Sequence, residues 1–409
     1  MERKKMDAAM GAAMDAVGRL HLYLLRFLTG TLTIFLILTP PVGIWMISQM
    51  RRFGVFRDFF GYLRHWTSIG SLAAFLLCYL GMFLSLFWLC LICKRLRIMK
   101  RLIVWSLIWV PFLNYGLAWY VRGLACQEID HNVHKIRLDD VRVEHQVCQT
   151  RYPLLLVHGV GFRDFHYFNY WGRIPRELVR NGARVFYGHQ EAWGTVEDNA
   201  AILQEKIREI QKETGAEKVN IIAHSKGGLD SRYLVSGLSM APCVATLTTI
   251  NTPHRGSALV EFLMRLPDPM YHMVCRLIDR YFRMLGDKNP NAYVASRQLS
   301  CAYAAEFNRR YPDAKGVWYQ SYASLMKHGL SSKLLCVPYW ILKVLDAPND
   351  GLVTVESAQW TNFQGVVTNR YLRGISHGDM IDLTREDYRD FKVLEFYIQL
   401  VKKLGDMGF

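Results

Sequence analysis

A serine at position 225 stands in the run Val219-Asn220-Ile221-Ile222-Ala223-His224-Ser225-Lys226-Gly227-Gly228, an apolar stretch that halts at two glycines. A serine on a sharp strand-to-helix turn needs very small residues two positions to either side, because the two backbones nearly touch there. Ala223 and Gly227 supply them, which makes the segment a small-residue variant of G-x-S-x-G. A serine hydroxyl is a weak nucleophile until a histidine takes its proton, and that histidine needs a carboxylate to fix its tautomer. On this kind of turn the partners follow as acid, then histidine. Asp350 in Asn349-Asp350-Gly351-Leu352-Val353 and His377 in Gly374-Ile375-Ser376-His377-Gly378-Asp379 come in that order. Asp350 also reads as an ordinary turn residue, and Asp346 is a rival acid; His254, His272 and His328 are rival bases, all of which precede the expected acid.

Acyl transfer also needs N–H groups aimed at the developing oxyanion. Leu154-Leu155-Leu156-Val157-His158-Gly159-Val160-Gly161 is an apolar strand running into an H-G-x-G turn, a second place where such a donor is presented. The backbone N–H groups of Val160 and Lys226 are therefore the expected pair. His158, Gly159, Ala223, His224 and Gly227 support the turns, and the Lys226 side chain is read as solvated and incidental.

These residues need a rigid sheet beneath them. From residue 152 onward short apolar runs alternate with amphipathic stretches, the pattern of a mostly parallel sheet covered by helices on both faces, an α/β fold. Candidate strands are Pro153–His158, Arg184–Tyr187, Val219–His224, Thr246–Asn251, Gly316–Ser321 and Thr368–Ile375. A helix is expected after Thr195 as N-cap, with Glu197 and Asp198 in its first turn, Ala201, Ile202, Ile207 and Ile210 at helical spacing, and Gly215 as its stop. A last helix is expected over Thr384–Leu404.

Residues 152–383 resemble the bacterial triacylglycerol lipase family of α/β-hydrolases. The likeness rests on the turn at His158–Gly161, the elbow at Ala223–Gly228, the segment Thr248-Thr249-Ile250-Asn251-Thr252-Pro253-His254-Arg255-Gly256-Ser257, the N-D-G-L-V turn and His377. It implies the α/β-hydrolase fold and a Ser225–His377–Asp350 relay, with no cofactor required; it does not single out a substrate, and a lipid ester is favoured instead because a domain held at a bilayer meets lipids in two dimensions. It also implies that Asp379, two residues after the histidine, ligates a structural calcium ion; a helix N-terminal acid is the other reading. The segment 257–314, rich in Met, Tyr, Phe and Arg, would be a lid or cap. Met270, Val274, Leu277 and Tyr281 share one face of a helix there, which suits either an interfacial surface or an ordinary cap helix.

The N-terminal third has another character. Residues 1–127 hold 15 Lys and Arg against 4 Asp and Glu, whereas residues 128–409 hold 35 against 31, so most of the net charge of +15 lies outside the hydrolase segment. Those basic residues flank uncharged runs at Phe27–Met50, Trp66–Cys93 and Leu102–Val121, each long enough to cross a bilayer. Lys and Arg so placed meet anionic lipid headgroups, not nucleic acid. Nine cysteines follow no metal-ligand spacing; Cys90-x-x-Cys93 reads as small apolar residues of a helix. The expected organisation is a membrane segment over 1–121 with spans at 27–50, 66–93 and 102–121, a linker at 122–150 and a catalytic domain at 151–409. Three spans, with the basic N-terminus and the Lys94–Arg101 loop on the cytoplasmic side, put that domain outside the cytoplasm. The combined expectation is a multi-pass membrane lipase whose partners are a lipid ester and the bilayer. Phospholipase, thioesterase or acyltransferase chemistry is the alternative, and a non-catalytic membrane scaffold a further one.

Overall fold

The computed structural model describes residues 2–53, 55, 58–96, 98–110, 113–161, 170–344, 347–388 and 390–409. The chain divides into two compact units, Met1–Val141 and Arg142–Phe409.

The first unit contains α1 (Glu2–Arg52), α2 (Phe59–Leu63), α3 (Trp66–Ile92), α4 (Ile98–Leu107) and the start of α5 (Leu113–His145). Leu25, Leu32 and Leu36 of α1 pack with Met82, Leu86 and Leu89 of α3 and with Ala118 and Val121 of α5. Two stretches, Leu20–Arg52 and Trp66–Ile92, are long and apolar enough to cross a membrane among the described residues. The third expected span, Leu102–Val121, is not one helix: α4 stops at Leu107 and α5 begins at Leu113. Pro111, which has no N–H to offer a helix, lies between them. The orientation argued from three crossings depended on that run. The expected linker is also mostly helical, since α5 continues to His145.

The second unit is a six-stranded, wholly parallel sheet in the order β2-β1-β3-β4-β5-β6. Its elements run β1 (Leu154–Val157), α6 (Ile174–Arg180), β2 (Val185–Tyr187), α7 (Val196–Thr214), β3 (Val219–His224), α8 (Gly227–Arg232) and β4 (Val244–Ile250). Then come α9 (Ala258–Leu263), α10 (Asp268–Met284), α11 (Ala292–Arg297), α12 (Cys301–Arg310), β5 (Trp318–Ser324), α13 (Cys336–Val344), α14 (Val355–Ala358), β6 (Phe363–Val367) and α15 (Val393–Asp406). Because strand side chains alternate, β1 sends Leu154 and Leu156 into a core with α15 and Leu155 and Val157 into a core with α7. A strand buried on both faces reads as continuously apolar, which is why β1 and β3 stand out in the sequence.

Helix α7 is capped as its residues dictate: Thr195 Oγ1 accepts from Asp198 N–H at 3.1 Å, and Gly215 ends it at φ +69°. Its buried face is Val196, Ala200, Leu203, Ile207 and Ile210; Ala201 points outward. Two expectations fail nearer the C-terminus. The last strand is Phe363–Val367, not Thr368–Ile375, because the Asn369 side chain takes the Tyr371 and Gly374 N–H groups (both 3.2 Å) that a strand would need for its ladder. The last helix starts at Val393, since Asp382, Arg385 and Asp390 adopt positive φ and break the chain before it.

Candidate active site

Strand β3 ends at His224, and the next residue, Ser225, adopts φ +54°, a conformation that L-residues rarely occupy. Its N–H donates to the Ile250 carbonyl at 2.9 Å, fastening the turn to β4. The need for small neighbours is literal. A Cβ on Gly227 would lie 2.3 Å from the His158 carbonyl oxygen, and one on Gly159 would lie 2.7 Å from Ser225 Cβ. Ser225 Oγ has no hydrogen-bond partner among the described residues, and neither the Val160 nor the Lys226 backbone N–H donates to a protein acceptor there. One hydroxyl and two unspent donors thus stand at the carboxyl edge of the sheet.

Asp350 and His377, 27 positions apart, are joined: His377 Nδ1 and Asp350 Oδ2 are 2.7 Å apart and both residues are buried. Asp350 Oδ1 accepts from the N–H groups of Leu352 (2.9 Å) and Val353 (2.8 Å), so the carboxylate is clamped from its far side. The His377 N–H donates to the Asp350 carbonyl at 2.9 Å, tying the two loops together by backbone as well. The His377 ring lies against that of His224, centroid to centroid 4.5 Å, which brings the imidazole beside the elbow. A hydrogen bond between Ser225 and His377 is not formed. Such bonds are often long without substrate and tighten in the complex.

His224 is more than an elbow support. It is fully buried, its Nδ1 is 2.7 Å from the Tyr170 hydroxyl, and burial together with the adjacent His377 holds its pKa well below the ordinary histidine value. A neutral ring there adds no positive charge next to His377. His158 is likewise buried, with Nε2 3.0 Å from the Gln190 carbonyl and Nδ1 2.8 Å from that of Gly159. The rival bases stand elsewhere: His254 bonds Thr249 and stacks on Trp360, His272 stacks on Tyr293, and His328 caps a short 3₁₀ turn. Asp346 lies outside the described residues.

The Lys226 side chain is not solvated. It is 1% exposed and pairs with Asp230, four residues on, at 2.6 Å. Asp230 also accepts from Asn199 Nδ2 at 3.0 Å, and Asn199 is bonded in both directions to the Glu191 backbone. The Glu191 carboxylate in turn accepts the N–H groups of Lys288 (2.7 Å) and Asn289 (3.0 Å), in the loop after α10. Ala192 O accepts from Gly161 N–H at 3.2 Å. The segment 190–193 therefore touches the His158–Gly161 turn and the loop after α10, and reaches the elbow through Asn199 and Asp230. An i, i+4 Lys/Asp pair was the signal available for this network. Because a buried charge without its partner is costly, Lys226→Met should destabilise the fold by about 3–5 kcal/mol, while Lys226→Met with Asp230→Leu should recover most of that loss. Equal melting temperatures for the single and double variants would refute the pairing.

Asp379 does not offer calcium a site. Its two carboxylate oxygens accept from Arg373 Nη1 (2.6 Å) and Nη2 (3.0 Å), and one also takes the Ser376 N–H at 2.8 Å. Arg373 is backed by the Tyr388 ring at 3.5 Å. Calcium wants at least six oxygens, and no group of three His, Cys, Asp or Glu suited to a metal exists among the described residues. A guanidinium holds this loop where the resemblance implied a cation. Chelation by EDTA should accordingly leave the melting temperature and esterase rate unchanged, whereas Arg373→Ala should lower the melting temperature; an EDTA-sensitive protein would overturn this assignment.

A serine on a positive-φ elbow after the third strand of a parallel sheet, with a histidine–aspartate pair on later loops, is the arrangement of an α/β-hydrolase, and the chain's relatives make it a carboxylic ester hydrolase. Sequence comparison adds particulars: the chain is similar to several triacylglycerol lipases. It is 28% identical over 260 residues to "Triacylglycerol lipase 2" of Saccharomyces cerevisiae, covering 59% of this chain and 74% of that one. It is 34% identical over 179 residues to a triacylglycerol lipase of Pseudarthrobacter phenanthrenivorans (40% and 55%) and 28% identical over 295 residues to that of Pseudomonas fragi (63% and 98%). No protein-family profile matches. Among solved structures, a Bacillus licheniformis lipase, BlEst2, aligns at TM-score 0.47 and 21% identity over 61% of this chain and 91% of that one.

Proposed function

We propose that the chain is a membrane-anchored lipase that cleaves neutral acylglycerol esters through an acyl-enzyme on Ser225. The observation that carries this reading is the clamped Asp350–His377 pair set beside a serine flanked by two unspent backbone donors. Ser225 Oγ attacks the ester carbonyl as its proton passes to His377; the Val160 and Lys226 N–H groups bind the oxyanion, and Asp350 stabilises the imidazolium. The carbon–oxygen bond then breaks and the departing alkoxide takes that proton. Water, deprotonated by the same imidazole, releases the fatty acid and restores the serine.

Two further features favour a lipid. Helix α10 buries Tyr271 and Cys275 while exposing Met270, Val274, Leu277 and Tyr281, an apolar face suited to an interface. The apolar stretches of α1 and α3 would hold the enzyme at a bilayer, where substrate is met in two dimensions. An outward-facing catalytic domain requires the divided third run to cross as well; a reporter fused after residue 150 reads the side directly.

The purified full chain, given di- and triacylglycerols, phospholipids of matched chains and an acyl-thioester, should release fatty acid fastest from the neutral glycerides. Preference for phospholipid or thioester would move the assignment to those chemistries, and acyl transfer to an added alcohol in preference to water would make it a transferase. A folded protein inert on all of them would be a scaffold.

A further inference from the structure

We infer that the N-terminal unit carries a second lipid site, separate from the ester-cleaving centre, for a neutral lipid bearing a free hydroxyl. The inference rests on the reading that this unit lies in a bilayer and that the hydrolase unit cleaves acylglycerols, whose alcohol product is such a lipid.

The site is a cavity of about 620 Å³ beside Pro40-Pro41, lined among others by Thr39, Gly43, Ile47, Phe75, Tyr79 and Asn114. That volume falls within the roughly 300–1,000 Å³ of single-ligand sites. Its origin is local. Pro40 lacks the N–H that would satisfy the Leu36 carbonyl one turn back, and the Tyr115 hydroxyl from α5 donates to that carbonyl instead. Thus α5 repairs the helix at its weak point, while Gly43, a turn further on, presents no side chain toward Phe75 of α3.

The lining chemistry selects the occupant. Among the described residues no Asp, Glu, Lys, Arg or His lines the cavity, so a phosphate or carboxylate headgroup would be desolvated without a countercharge. Hydrocarbon alone would not serve either. Asn114 is 3% exposed and shares a hydrogen bond with the Tyr79 hydroxyl, but its other amide atom has no partner among the described residues. Whichever way the amide is turned, that atom is a donor or an acceptor in need of a partner, and a hydroxyl is both. A di- or monoacylglycerol brings an uncharged hydroxyl on apolar chains.

The test uses the full chain in detergent micelles, with Ser225→Ala so that the probe is not consumed, and a diacylglycerol bearing a photoreactive diazirine in one chain. Cross-links should map to residues 39–47, 75–82 and 114–115 and be competed by unlabelled diacylglycerol but not by phosphatidylcholine or phosphatidate of the same chains. Asn114→Leu should weaken competition roughly tenfold, the scale of one unsatisfied buried polar group, and Gly43→Leu should reduce labelling by filling the space. Equal competition by phosphatidylcholine, or labelling unchanged in both variants, would overturn the site. Hydrolysis of a water-soluble short-chain ester, measured with Ser225 present, keeps the two readings apart: an inert wild type refutes the catalytic assignment, and labelling decides the lipid site independently.

Discussion

Alanine at position 225 should abolish covalent labelling by a fluorophosphonate and lower ester turnover by about a million-fold, the loss found when a triad serine is removed. The substitution deletes one oxygen and keeps the Cβ, so the tight contact with Gly159 and the bond from the residue 225 N–H to the Ile250 carbonyl remain. The fold should therefore melt normally. Residues of one relay are not additive, so His377→Ala on top of Ser225→Ala should cost nothing more. Labelling that persists in Ser225→Ala, or losses that multiply in the double variant, would remove the serine from the mechanism.

Asp350→Asn should lower kcat by about ten-thousandfold at neutral pH, through the histidine's tautomer and not through the fold. Asp350 Oδ1 is held by the Leu352 and Val353 N–H groups. An asparagine keeps its single oxygen on those two donors and turns its NH₂ toward His377 Nδ1. The imidazole must then accept at Nδ1, and its proton moves to Nε2, the nitrogen required to take the serine's proton. The melting temperature should change little, which separates this outcome from damage to the loop. A loss of only a few-fold would mean that some other carboxylate orients His377.

The sequence announced those parts whose chemistry depends on neighbours in the chain. The elbow needs small residues at fixed offsets, and Gly227 faces the His158 carbonyl as that rule requires. Helix α7 carries its own start and stop in Thr195 and Gly215. What was misjudged depended on partners distant in sequence or on side chains that compete with the backbone. Lys226 reads as a surface lysine because, beyond the i, i+4 spacing to Asp230, nothing local reveals that Asn199 and Glu191 extend the pair into a buried network. Thr368–Ile375 looked like a strand until Asn369 claimed its N–H groups. The run from Leu102 to Val121 is apolar enough to cross a membrane, but Pro111 falls between the helices it forms.

Ser225 occupies a backbone shape that suits glycine better than any other amino acid, since φ +54° crowds a Cβ. On the proposed mechanism, serine is held there for its oxygen and against the preference of the main chain, so catalytic competence comes at the expense of resilience. A glycine at this one position would relax the turn, and the resulting dead protein would be expected to outlast the living one on heating.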